Sequence, residues 1–147
     1  MRFMMLVIPK GYEKVDPNYR PTLKEIAFME KYNESLAKAG VLLSMDGLAP
    51  PSAGARVSFS GGKPKVTDGP FAEAKECVGG YWMIQVKSRE EAIEWAKRAP
   101  FRPGVQLEIR QIFEAPDFGE ALTPELQAKE EQLRAQSEQL GKAGAKA

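Results

Sequence analysis

Two short boxes of the form Ser/Thr-x-x-Glu constrain this chain more than any other feature. Thr22-Leu-Lys-Glu25 and Ser88-Arg-Glu-Glu91 each stand between two runs rich in apolar and branched residues. In such a box the hydroxyl and the carboxylate satisfy backbone amides left free at a helix start, so each marks a helix N-terminus. Behind the first, Ile26, Met29, Leu36 and Ala37 share one side at helical spacing, Lys24, Lys31 and Lys38 share another, and Gly40 supplies the stop. Behind the second, Ala92, Trp95, Ala96 and Ala99 recur in the same way until Pro100.

The runs around these helices read as strands. Phe3 to Ile8 is continuously apolar, as a buried strand is, and Val41 to Met45 and Tyr81 to Val86 are rich in apolar, branched and aromatic residues. Val105 to Phe113 alternates, with Val105, Leu107 and Ile109 on one face and Gln106, Glu108 and Arg110 on the other. Residues 9–21, with Pro9, Gly11, Pro17 and Pro21, read as a long loop. Arg56 to Ser60 and Lys65 to Thr67 flank Gly61-Gly62, the composition of a tight hairpin.

The order β-α-β-(hairpin)-β-α-β predicts an α+β fold of the ferredoxin-like split βαβ kind, an antiparallel sheet with both helices on one face. The opposite face carries Glu108 and Arg110, with either Tyr81 and Met83 or Trp82 and Ile84 from the neighbouring strand. Apolar and aromatic groups there need a cover, and a second subunit is the simplest one, so a face-to-face homodimer is expected. After residue 115 the pattern changes. Thr123-Pro124 opens a last helix in which Leu126, Leu133 and Leu140 recur every seven residues, a thin stripe that reads as packing on the domain or on a partner subunit. Residues 1–115 are therefore expected to form the domain and 116–147 a helical extension ending in a frayed GKAGAKA tail.

Composition narrows the chemistry. Histidine is absent, which removes the usual general base near neutral pH, the His-dependent triads and the commonest transition-metal ligand. No metal and no cofactor are expected, and any catalysis falls to carboxylates, Lys, Tyr, Cys or bound water. Cys77, the single cysteine, reads as a small buried residue rather than a nucleophile. With 21 basic and 20 acidic residues and no long basic run, direct nucleic-acid binding is not expected. The start, MRFMMLVIPKG, lacks the length and cleavage site of a secretory signal, and no apolar run is long enough to span a bilayer. The expected location is the cytoplasm, away from membranes.

The charged residues worth weighing lie in two places. In Val66 to Glu76, VTDGPFAEAKE, Asp68 reads either as the start of an Asx turn that Pro70 fixes or as a site carboxylate held on a loop. In an extended stretch Glu73 and Lys75 share a side; they are either solvent-facing or, if a dimer interface shields them, a proton-transfer pair. Glu108 and Arg110 share the uncovered sheet face, as a salt bridge or as an arginine gripping an anion while Glu108 orients it. Arg56 is a further cation that could converge there. Tyr81 and Trp82 read as packing or as a ligand platform, and Asn33, within the apolar sector of the first helix, caps a buried backbone group or faces the dimer cavity.

LAPPSAGARV, VTDGPFAEAKECVGGYWMIQV, EAIEWAKRAP and LEIRQI together resemble the YCII-related family, in the subgroup named for its Asp-Gly-Pro-Phe signature. Asp68-Gly69-Pro70-Phe71, Glu73, Lys75, Glu76 and Gly79-Gly80-Tyr81 carry the most specific part of that resemblance, which runs over residues 1–113. It implies a ferredoxin-like fold of the dimeric α/β-barrel type and a family in which most members have no established activity. Members of the subgroup are often encoded beside, or fused to, extracytoplasmic-function sigma factors. The wider family includes small enzymes thought to use a His–Asp pair; Asp68 is kept here, but no histidine exists to partner it. Ala74 stands where the subgroup commonly has Thr, and Gln111-Ile112 where Pro-Val is usual.

Two functions follow as expectations. One is cofactor-free acid–base chemistry on a small anionic organic molecule in a homodimer cavity. Asp68 or Glu73 would be the base and Lys75 the acid, with Arg56 and Arg110 as anchors and Glu108 and Tyr81 beside them. The other is a non-catalytic ligand-binding or regulatory accessory protein associated with a sigma factor. A third, oxygenase-like reading needs a substrate that reacts with oxygen unaided, since no histidine can hold heme.

Overall fold

A computed structural model describes residues 1–144; of the tail expected to fray, 141–144 continue the last helix, and the remainder lies outside the described residues. Four strands build the main sheet: β1 (Arg2–Pro9), β2 (Leu42–Gly47), β5 (Gly80–Gln85) and β6 (Val105–Gln111), in the order β2-β5-β1-β6 and antiparallel throughout. Helices α1 (Leu23–Lys38) and α2 (Arg89–Ala96) make the two crossovers. This is the ferredoxin-like α+β arrangement that the order of elements predicts. Strands β3 (Ala55–Ser60) and β4 (Lys63–Asp68) pair only with each other, around Gly61 and Gly62. Both glycines have positive φ, 66° and 84°, which the tight hairpin turn demands and side chains resist. Among the described residues no helix is long and apolar enough to cross a membrane.

Alternation decides the faces of the sheet. Phe3, Met5 and Val7 of β1 and Trp82 and Ile84 of β5 are buried on the helix side, while Met4, Leu6, Ile8, Tyr81 and Met83 point the other way and are half-buried. Tyr32 and Leu36 of α1 and Ala92 of α2 complete the core. Leu36 and Ile84 are fully buried, each contributing about 1.5–3 kcal/mol relative to exposure.

Helix α1 begins and ends as its sequence dictates. The Thr22 side chain accepts from the Glu25 amide, and the Glu25 carboxylate accepts from the Thr22 amide at 2.8 Å. At the other end the Gly40 amide reaches the Ala37 carbonyl and the Val41 amide the Leu36 carbonyl, with Gly40 at φ 70°. Its buried side keeps Met29 and Leu36 as expected but is turned in part. Met29, Tyr32, Asn33 and Leu36 face inward, whereas Ile26 and Ala37 are exposed. Tyr32 causes the turn: its ring meets Trp82 edge-on at 5.3 Å, and its hydroxyl donates to the Trp95 carbonyl at 2.9 Å, tying α1 to α2. The second box also differs in detail. Ser88 accepts from the Glu91 amide as expected, but the Glu91 carboxylate accepts from Lys87 rather than Ser88.

Met1–Ile112 forms one compact unit, and a second begins at Phe113. In the second, Phe113 and Phe118 stack edge-on at 5.4 Å, and Thr123 caps α3 (Pro124–Gly144) by accepting from the Leu126 amide. Leu126, Leu133 and Leu140 are exposed.

Candidate functional site

The sheet face away from α1 and α2 is built in rows. Leu6 lies opposite both Tyr81 and Glu108, and Tyr81 lies opposite Asp46; in the next row Met4 lies opposite both Met83 and Arg110. Tyr81 and Met83 therefore occupy this face, and Trp82 and Ile84 the core. The Tyr81 hydroxyl donates to the Asp46 carboxylate at 2.8 Å. That bond, then desolvation and the Asp46 charge, raises the Tyr81 phenol above its ordinary value, so it stays protonated and a donor at neutral pH. Arg110 Nε lies 3.7 Å from Glu108 Oε1, both side chains largely in solvent. An exposed pair of this kind contributes little to stability, typically well under 1 kcal/mol. Strand β1 separates Tyr81 from Glu108 and Arg110 by two strand spacings, roughly 10 Å.

The signature turn sits elsewhere, at the end of the separate hairpin. Asp68 closes β4 opposite Ala55, and the Gly69 amide donates to the Gly54 carbonyl at 2.8 Å. Among the described residues no side-chain hydrogen bond forms at Asp68, so the turn is not an Asx turn; backbone pairing and the close seating of Gly69 on Pro51 hold it. Arg56 spreads its guanidinium 4.1 Å from the centre of the Phe71 ring, a cation–π contact within the turn region. The chain bends again at Ala72-Glu73, with the Ala74 amide on the Phe71 carbonyl, so Glu73 and Lys75 are not on a strand. Asp68, Glu73 and Lys75 are exposed and make no side-chain hydrogen bond or ion pair among the described residues. Asp68 and Arg56 thus share one small sheet, while Glu108, Arg110 and Tyr81 belong to the other. Cys77 is buried.

A recess of about 380 Å³ opens on the helix side, where the ends of β2 and β5 run out past α1. Met29 and Asn33 of α1, Met45 and Trp82 of the sheet and Phe101 form its walls; Asp46-Gly47 and Gly79-Gly80-Tyr81 form its strand-end border. No lysine or arginine lines it, and Asp46 joins its border at the strand end with its carboxylate bonded to Tyr81. A broader groove of about 650 Å³ beside α1 shares Met29, Asn33 and Phe101 with it. At the junction the Trp82 indole N–H donates to Asn33 Oδ1 at 2.7 Å. Mostly apolar walls with a few placed polar groups are what small-molecule sites present.

Of the residues weighed in the sequence, Tyr81, Trp82 and Asn33 line this recess, while Asp68, Glu73, Lys75, Arg56, Glu108 and Arg110 do not. Asn33 lines this helix-side recess rather than a cavity on the uncovered sheet face, and its carbonyl caps a side chain rather than backbone. Met29 and Met45 read as ordinary helix and strand residues, and Phe101 carries no signal of its own. Phe101 lies more than 50 residues from both methionines, and no local pattern marks their convergence.

The family described as "YCII-related domain" matches residues 1–116. A protein of Rhizobium meliloti (strain 1021), named only as uncharacterized, is 39% identical over 71 residues, 48% of this chain and 54% of that protein. The chain thus spans about half the length of the curated relative it matches.

Proposed function

The chain belongs to the YCII-related family, and we propose that within it this protein binds a small, mostly apolar molecule in the recess beside Asn33. One observation carries the reading: a recess of about 380 Å³ whose methionine and aromatic walls meet a carboxamide already fixed by the Trp82 indole. A fragment screen by thermal shift tests it, with Met45→Trp as the control. Met45 is half-exposed on the edge strand, so a larger ring fills the recess without entering the core. Fragments that stabilise the parent protein should lose at least tenfold in affinity for Met45→Trp. Equal binding to both proteins would place the ligand elsewhere and end this reading.

The acid–base reading keeps one supporting observation. Asp68, Glu73 and Lys75 have no partners among the described residues, so their charges are open to a ligand or to a second copy of the chain. Half-buried Met4, Leu6, Ile8 and Met83 on the face away from the helices support a homodimer through that face. In such a dimer Asp68 or Glu73 is the proposed base and Lys75 the acid, with Arg56 and Arg110 holding an anion. Asp68→Asn, Glu73→Gln and Arg110→Gln separate the two readings: all three leave recess binding unchanged, and only the acid–base reading expects them to weaken binding of a carboxylate.

A further inference from the structure

The proposed recess site has a chemical preference that follows from one fixed amide. An asparagine carboxamide can ordinarily turn over and present either its oxygen or its nitrogen. Here the indole N–H of Trp82 is a donor and nothing else, and it lies 2.7 Å from the Asn33 side chain, so Oδ1 must face it. Trp82 is itself locked, 5% exposed, with the Tyr32 ring edge-on at 5.3 Å and Phe101 at 6.0 Å. The Asn33 Nδ2 group is thereby held at the junction of recess and groove, and no acceptor among the described residues takes its two N–H bonds.

We propose that Asn33 is the recognition group of this site, donating from Nδ2 to the acceptor oxygen of a neutral ligand with a flat apolar body, such as an aryl ketone or amide. The walls support the body: Met29, Met45, Trp82 and Phe101 offer polarisable sulfur and ring faces. The charge supports neutrality. An anion entering the recess would leave water for a place with no lysine or arginine in its lining, and in the adjoining groove Lys24 and Arg102 are matched by Glu25 and Glu30. This choice of ligand rests on the recess reading and departs from the small anion that the sequence leads one to expect.

The test uses three probes of similar size, acetophenone, ethylbenzene and benzoate, titrated into the full chain by NMR. Acetophenone should bind at least about fivefold more tightly than ethylbenzene, the usual worth of one neutral hydrogen bond, and also more tightly than benzoate. It alone should shift the Asn33 side-chain amide protons downfield. Asn33→Asp keeps an oxygen for the Trp82 indole while removing both donors, so it should abolish the preference for acetophenone and leave ethylbenzene binding intact. Equal binding of acetophenone and ethylbenzene to the parent protein, an unmoved Asn33 amide, or an unchanged preference in Asn33→Asp each overturns the proposal while leaving the recess reading standing. Failure of every probe to move the Trp82 indole and the Met29 and Met45 methyl signals overturns both.

Discussion

Gly69→Ala separates two reasons a turn can require glycine. Gly69 does not have a positive φ, so conformation alone permits alanine, and such a change would ordinarily stabilise by about 0.4–1 kcal/mol. Space forbids it. A Cβ at Gly69 would stand 1.7 Å from the Pro51 carbonyl oxygen and 2.7 Å from its carbon, both backbone atoms with no rotamer to change. The two segments must part by more than about 1 Å before the contact reaches 3.0 Å, the floor for real Cβ contacts. Parting them breaks the Gly69 N–H to Gly54 carbonyl bond of 2.8 Å. Overpacking of this kind costs about 1–3 kcal/mol and the lost bond about 1, giving on the order of 2–4 kcal/mol. Because β3–β4 is a separate sheet, the loss should be local and read best by amide hydrogen exchange. Exchange at Gly69 and Gly54 should accelerate by about 30-fold or more, with β1 and β5 nearly unchanged. Exchange at Gly69 within threefold of the parent, or slower, would show the seat on Pro51 to be wrong.

Leu36→Ala, which empties a fully buried site between α1 and the sheet, should cost about 3–5 kcal/mol in urea unfolding; a loss under 1 kcal/mol contradicts the assigned core. Tyr32 supplies the pH-dependent case: burial, against a smaller opposing effect of Arg98, pushes its phenol up to about 12. A folded pKa above the unfolded one means its contribution is complete below about pH 10 and is lost as pH rises toward 12, on the order of 2 kcal/mol. Tyr32→Phe should be less stable at pH 8 and lose less between pH 10 and 12; parallel stability curves for the two proteins would refute the assignment.

The elements were legible because their signals are local. Thr22 and Glu25 sit three residues apart and form both bonds of the box, and the alternation of Val105 to Arg110 survives unchanged in β6. The inward side of α1 was misread because Tyr32 counts as polar in a hydrophobic pattern, yet its ring packs on Trp82 and its hydroxyl finds the Trp95 carbonyl. Aspartate before glycine announced a turn correctly but for the wrong reason. What holds it is Pro51, seventeen positions from Asp68, and no turn rule reaches that far. The recess was invisible for the same cause: Asn33 and Trp82 are 49 residues apart, and only the sheet order β2-β5-β1-β6 brings them together.

Methionine placement supplies the most direct test of the binding site. The chain has six methionines, of which Met29 and Met45 border the recess, while Met5 is wholly buried and Met4 and Met83 lie on the opposite sheet face. With methyl-labelled protein and acetophenone as probe, Met29 and Met45 should shift together with the Trp82 indole, and Met4 and Met83 should stay still. Shifts confined to Met4 and Met83, or to the Arg56–Phe71 turn, would contradict a site beside Asn33.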